Sequence, residues 1–452
     1  MQQQSSRNKL RPYIFILIIP ILLIPTMVQA SLFYVDKNGL DSNSGTKEQP
    51  FKTIKKGVSV LSADDTLYVR AGTYSESILS WKTPIPNGKS WDHPITIAAY
   101  PGDAVTINPP PGHAFFWVKD GKAKYLIIDG FSVDGRNRSL HGFKFHQGTT
   151  HIRVQNTEIK NSQDTAILVS GQGTVFGAPA DTYHEFINLH VHHNGDSTRD
   201  HGFYIQTSRN LVEGCDIHHN SSNGGKFFIS GETGGGGTAN YNIFRHNITH
   251  DNGTNTTQQS AGWLLSSGRG NEAYGNIAYN NDAGFTIGNN AVENLLYNNI
   301  SYNNRADGIH VYGEWGGSDR AMVFNNTVYQ NGKYGIAVRN NAQDTIIQNN
   351  ISYKNGSDSS RNIWLHPNKS PGTELGNNVI VNPDFVDPST YIFKLKPTSK
   401  AIDAGLPISQ VSVDFFGIER AQGKAYDVGA IEYELVEDIT APDSPKSVRL
   451  SN

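Results

Sequence analysis

The sequence predicts an all-β fold, a solenoid of the right-handed parallel β-helix type with a short N-terminal capping helix. Three observations carry this expectation. First, NIAYNN (276–281), NISYNN (299–304), NTVYQN (326–331) and NISYKN (350–355) recur at intervals of 23, 27 and 24 residues, a period that marks a stacked array. Second, a glycine followed by a short apolar alternation recurs as HGFKF (141–145), HGFYI (201–205), AGWLL (261–265), AGFTI (283–287), DGIHV (307–311) and YGIAV (334–338). That alternation has the period of two of a strand, and no ten-residue stretch of the region shows the 3.6 period of a helix. Third, asparagines recur in pairs while regular leucine spacing is absent. Asparagine tolerates the left-handed conformation of sharp turns, and its amide can bond to the equivalent amide one coil away. Stacked coils lie about 4.8 Å apart, so ten or so make a rod roughly 50 Å long.

The elements follow in order. Arg7, Lys9 and Arg11 precede the apolar stretch YIFILIIPILLIPTMV (13–28), and Val28-Gln29-Ala30 fits a small-residue cleavage pattern. Residues 1–30 therefore read as a signal peptide, and the mature chain is expected outside the cytoplasm, in the periplasm, at the cell surface or secreted. An uncleaved anchor is the alternative, although Pro20 and Pro25 interrupt the stretch. Residues 31–435 read as one β-helix domain. Its N-terminal cap and first coils occupy 31–110, its repeats 125–380 and its closing segment 381–435. In PFKTIKKGVSVL the apolar residues at 51, 54, 58 and 61 suit a short amphipathic helix with Pro50 in its first turn. DTLYVRAGTY (65–74) alternates as a strand. ITAPDSPKSVRLSN, within 436–452, reads as a linker-like tail.

Composition narrows the function classes. A net charge of −3 and 17% charged residues, with no Lys/Arg-rich run in the body, exclude a nucleic-acid binder. Hydrophobic residues at 37% supply a core. The single cysteine, Cys215, allows no internal disulfide and reads as a small core residue. HVHHNG (190–195) and DIHHNS (216–221) are histidine-rich, but no HExxH and no His/Cys set with zinc spacing is present. The repeat register places His193, His219 and His250 in one stacked ring column with Tyr279, Tyr302 and Tyr353. A monomer is expected.

The pattern YVDKNGLDSNSGT…PFKTIKKG…ADDTLYVRAGTY, over roughly 31–80, resembles the opening of secreted pectate-lyase-like β-helix proteins, most closely the family-nine polysaccharide lyases. KAIDAGLP…VDFFGIERAQGKAYDVGAIEY (400–433) resembles a closing segment of secreted β-helix proteins. The resemblance implies uronate cleavage by a lysine base on a strand, with calcium held by nearby aspartates. The family's Asp-Asp-Gly-x-Asp run is absent here. NSSNGG (220–225) stands in its place, and Asp200 and Asp216 are the nearest substitutes.

The residues place candidate chemistry on one outward strand face. Lys144, His146, Tyr204, Lys226, His310, Tyr312, Arg339 and Trp364 fall at outward positions and mix cations with aromatics. Such a face suits an extended anionic glycan. In NGGKFFI (223–229), a strand opened by Gly224 sends Phe227 inward and Lys226 outward; one opened by Gly225 does the reverse. The first is preferred because an unpaired buried ammonium is costly. Lys226 is the candidate base, with Asp200, His201 and Tyr204 as further catalytic candidates and Arg199 available for a carboxylate. Calcium is a possible cofactor. Three readings remain open: a lyase or related C5-epimerase acting on a uronate polymer, a hydrolase, and a non-catalytic glycan-binding or adhesive rod. The outward columns hold no acidic residues, which weighs against hydrolysis.

Overall fold

The computed structural model describes residues 30–434 except 120–122, 147, 172–180, 229–238, 254–259 and 315. The expected signal segment before Ala30 and the tail at 436–452 lie outside the described residues. Among those described, no helix is long and apolar enough to cross a membrane.

The chain winds into a right-handed parallel β-helix. Three parallel sheets of 13, 11 and 11 strands run its length. Strands are short, commonly three residues, and the alternation read from sequence becomes an in/out alternation of burial, as in Phe203–Ile205 and Gly225–Phe227. The inward residues form one continuous core from Val35 to Ile347.

The recurrent glycine has a steric cause. A Cβ on Gly202 would lie 2.4 Å from the Gly224 carbonyl oxygen, and one on Gly224 would lie 2.4 Å from that of Gly262. These glycines form a column in which backbones pass too closely for a side chain. Gly225 answers a different need. Its Cβ would collide with the Trp263 ring at 2.0 Å, and that indole lies fully buried against Phe244, ring centroids 3.9 Å apart. The double glycine thus combines a close backbone approach with room for the largest core side chain.

Each asparagine pair divides its labour. Asn280, Asn298, Asn303, Asn325 and Asn349 adopt positive φ and turn the chain. The partner that follows points inward. Asn247, Asn276, Asn299, Asn326 and Asn350 form one ladder, each Nδ2 donating to the next Oδ1 at 2.9–3.0 Å. A second ladder contains Asn252, Asn281, Asn304, Asn331 and Asn355. Each Oδ1 also accepts the backbone N–H of the preceding ladder residue, so buried backbone donors are satisfied along with the amides. Cys215 occupies the rung before Asn247, whose Oδ1 accepts its N–H. Burial pushes its thiol up to about 12, so it is an inert core group.

At the N-terminal end a helix spans Ile54–Val58, shorter than expected, with Thr53 as its N-cap. Pro50 therefore lies outside the helix, because the Thr53 hydroxyl already supplies the cap by accepting Lys56 N–H. Ile54 and Val58 are fully buried in the core. The C-terminal segment runs back along the flank of the rod. Phe385, Phe393, Val428 and Ala430 pack with Ile300, Tyr329 and Ile351. Turn asparagines hold it: Asn298 donates to Val413 O and Asn349 to Leu406 O.

Candidate functional site

One 11-stranded sheet carries the lysine face. In cross-strand register its first outward column reads Leu79, Trp117, Lys144, Leu168, Tyr204, Lys226, Leu264, Thr286, His310, Ala337 and Trp364. The strand Gly225–Phe227 is the sixth of the eleven. Its register leaves Phe227 buried and Lys226 outward and half-buried.

The Lys226 ammonium lies between two rings, 4.2 Å from the Tyr204 centroid and 4.9 Å from that of Phe228. Among the described residues no hydrogen bond or ion pair to it is formed. Burial lowers its pKa to about 8, and the positive charge of exposed Arg199 adds to the effect. Burial raises the Tyr204 hydroxyl, with Gln206 opposing by a hydrogen bond, so Tyr204 keeps its proton at neutral pH. The His201 ring meets Tyr204 edge-on at 5.7 Å. Its Nδ1 faces the Asn223 backbone N–H at 3.2 Å and the Asn223 amide at 3.3 Å. These donors assign the proton to Nε2, which is buried without a hydrogen-bond partner among the described residues. Burial, with Lys226 adding to it, holds His201 well below its ordinary pKa. It is neutral, and its Nδ1 lone pair is committed.

Asp200 is placed differently. Its Oδ2 accepts the backbone N–H groups of Asp196 and Ser197 at 3.1 and 2.8 Å, closing the turn before the strand. Burial raises its carboxyl, and the neighbouring Asp164 carboxyl adds to the rise. The structure thus brings Lys226, Tyr204 and His201 together and turns Asp200 towards Asp164. Asp164 was not singled out from the sequence, because it precedes a strand, Ile167–Ser170, that lacks the leading glycine.

Further along, Lys144 lies 4.4 Å from the Trp117 centroid and 3.5 Å from His141 Nε2, and burial lowers its pKa. His146 faces the Trp117 indole N–H at 2.9 Å. At the other end Arg339 reaches His310 Nε2 at 2.7 Å and the fully buried Asp307 at 2.8 Å, so its charge is matched from within. Tyr312 stacks on His310 at 4.8 Å and Trp364 on Tyr334 at 4.8 Å.

Asp200 and Asp216 do not converge as calcium ligands. Asp216 faces outward on another sheet, paired with His190, while Asp200 spends its Oδ2 on a turn. Asp164 and Asp200 offer two carboxyl groups where calcium takes six to eight oxygens. The described residues beside Lys226 therefore do not fit a calcium cage. The ring column also differs from expectation by one residue. It contains His192, His218, His250, Tyr279, Tyr302, Tyr329 and Tyr353. His193 and His219 take the positive-φ turn positions instead, because the pair of histidines stands where later coils have Tyr followed by Asn, Gln or Lys.

Residues 33–200 match the family described as Pel9A-like, right handed beta helix region, and residues 179–352 match the right handed beta helix region. The chain is 25% identical to pectate lyase L of Dickeya chrysanthemi over 429 residues, 89% of this chain and 90% of that one. It is 30% identical to the uncharacterized protein YwoF of Bacillus subtilis over 142 residues, 29% of each chain. The crystal structure of pectate lyase Pel9A superposes with a TM-score of 0.59 at 20% identity, covering 89% of this chain and 96% of that one. With the fold described above, these similarities show a right-handed parallel β-helix protein that is similar to pectate lyases.

Proposed function

We propose that the protein is an extracellular polysaccharide lyase that cleaves a uronate-containing polymer by β-elimination, with Lys226 as base. The observation that carries this reading is the desolvated Lys226 amine, at about 8, on a face of aromatics and cations. A lysine acts as a general base only when an appreciable fraction is neutral at the working pH. The neutral Nζ takes the C5 proton. The electrons of that C–H bond form the C4=C5 double bond as the C4–O bond breaks. The Tyr204 hydroxyl gives its proton to the departing oxygen. Arg199, within electrostatic reach of Lys226, pairs with the C5 carboxylate and stabilises charge developing there. Trp117, Lys144 and Trp364 extend the bed on which further sugars lie. A C5-epimerase shares the proton abstraction but returns a proton to the other face of the ring and keeps the C4–O bond.

The test is ultraviolet absorbance of unsaturated uronate product on polygalacturonate, alginate and glycosaminoglycans, with added calcium and with chelator. Product on one of these, lost in Lys226→Ala while binding is retained, supports the reading. Binding without product on any of them overturns it in favour of a glycan-binding rod.

A further inference from the structure

A second cluster of reactive side chains stands on a different sheet and takes no part in the site above. Strands Glu158–Lys160, His190–His192, Asp216–His218 and Ile248–His250 are successive neighbours in that sheet. Their outward residues form two adjacent columns. One reads Glu158, His190, Asp216; the other reads Lys160, His192, His218, His250.

Ring stacking alone does not account for the arrangement. His192, His218 and His250 do stack, with centroids 5.0 and 4.7 Å apart and nearly parallel planes. His190 departs from the stack. It tilts across to bring its Nε2 within 2.8 Å of His218 Nε2. A carboxylate oxygen of Asp216 joins these two nitrogens, all three atoms lying within 4.8 Å of one another. Asp216 Oδ1 is buried and is ion-paired with His250 Nε2 at 3.2 Å. The flanking acids are otherwise engaged: Glu158 accepts from Lys160 and Ser132, and Asp251 from His250.

We propose that His190, His218 and Asp216 hold a divalent transition-metal ion of the zinc class. Two imidazoles and a carboxylate are a donor set that borderline ions accept and calcium, which takes oxygens, does not. Zn–N bonds of about 2.0–2.1 Å set tetrahedral nitrogens about 3.3 Å apart, so binding requires the two rings to separate by only about 0.5 Å. Both rings are borne on paired strands, which restricts the motion needed. His219 Nδ1 at 2.8 Å from His218 Nδ1 supplies the outer partner that orients a ligating imidazole. The fourth position remains for water or for a carboxylate from outside. Zinc-type sequence spacing is absent because the ligands come from coils 26–28 residues apart.

The test uses protein without a polyhistidine tag, stripped with chelator and titrated calorimetrically with zinc, and separately with calcium. One zinc per chain is expected, with binding weakened at least about tenfold in His190→Gln, His218→Gln and Asp216→Asn. Lys226→Ala is expected to bind zinc as the parent does, which separates this site from the proposed lyase site. Zinc is also expected to raise the thermal midpoint of the parent and not of His190→Gln, each variant's fold being checked by circular dichroism. No binding by the parent overturns the proposal. So does equal binding by His190→Gln and His218→Gln, or loss confined to His250→Gln.

Discussion

At the residue scale, Lys226 makes the sharpest claims. Because its folded pKa is about 8, the base is protonated below that value. Lyase kcat/KM is expected to rise with pH through about 8 and then level, measured on the polymer that gives product. Lys226→Ala is expected to lower kcat by about 10²–10⁴ with binding retained. The same shift carries a stability claim. The unfolded lysine binds its proton up to about 10.4, so between about 8 and 10.4 the unfolded chain holds more protons and stability rises with pH. At neutral pH the ammonium is a burden on the fold. Lys226→Met is expected to raise stability by about 1–2 kcal/mol, read from denaturant unfolding at pH 7 and vanishing near pH 10.

Alternation left two registers open for Lys226, and the cost of burying an unpaired ammonium chose the one that buries Phe227 and leaves its neighbour outside. The desolvation of Lys226 was not legible from the sequence. The rings that cover it belong to Tyr204, 22 residues earlier, and to Phe228, beyond the strand. Trp117 escaped notice for a related reason: its strand, Phe116–Val118, begins after Ala114-Phe115 and not after a glycine.

At the element scale, the coil is a unit whose asparagines do two jobs. Sequence reading recognised both roles but could not assign them within a pair, because φ and ladder register are properties of the stacked coil. Asn280 and Asn281 separate the two. Asn281 is fully buried, and its Oδ1 accepts from the Asn252 amide and backbone. Asn281→Ala removes that acceptor and leaves buried donors unpaired, and is expected to cost about 2–4 kcal/mol by equilibrium unfolding. Asn280 sits at φ 54°. Asn280→Gly keeps that conformation accessible and is expected to change stability by less than about 0.5 kcal/mol in the same experiment.

At the scale of the whole molecule, the period of the repeats was enough to read the rod, but not the path of the C-terminal segment along its flank. The contacts that fix that path join Asn298 to Val413 and Asn325 to Asp427, more than a hundred residues apart. No local pattern announces them. Arg420 anchors the segment. Its buried guanidinium meets Glu432 at 2.6 Å, donates to Asn298 Oδ1 and donates to the carbonyls of Asp427, Gly429 and Ala430. Burial pushes the Glu432 carboxyl upward and the guanidinium opposes it. Glu432→Ala strands a buried cation and is expected to cost about 3–5 kcal/mol, with proteolysis first appearing after residue 380.

The position of Lys226 along the rod has a further consequence. Its strand has five neighbours on either side in the lysine face, so on the proposed reading a polymer lying along the column has about 24 Å of sheet in each direction. An enzyme that holds its chain symmetrically about the cut severs it in the interior. On the proposed reading, the viscosity of the substrate solution falls well before short oligosaccharides accumulate.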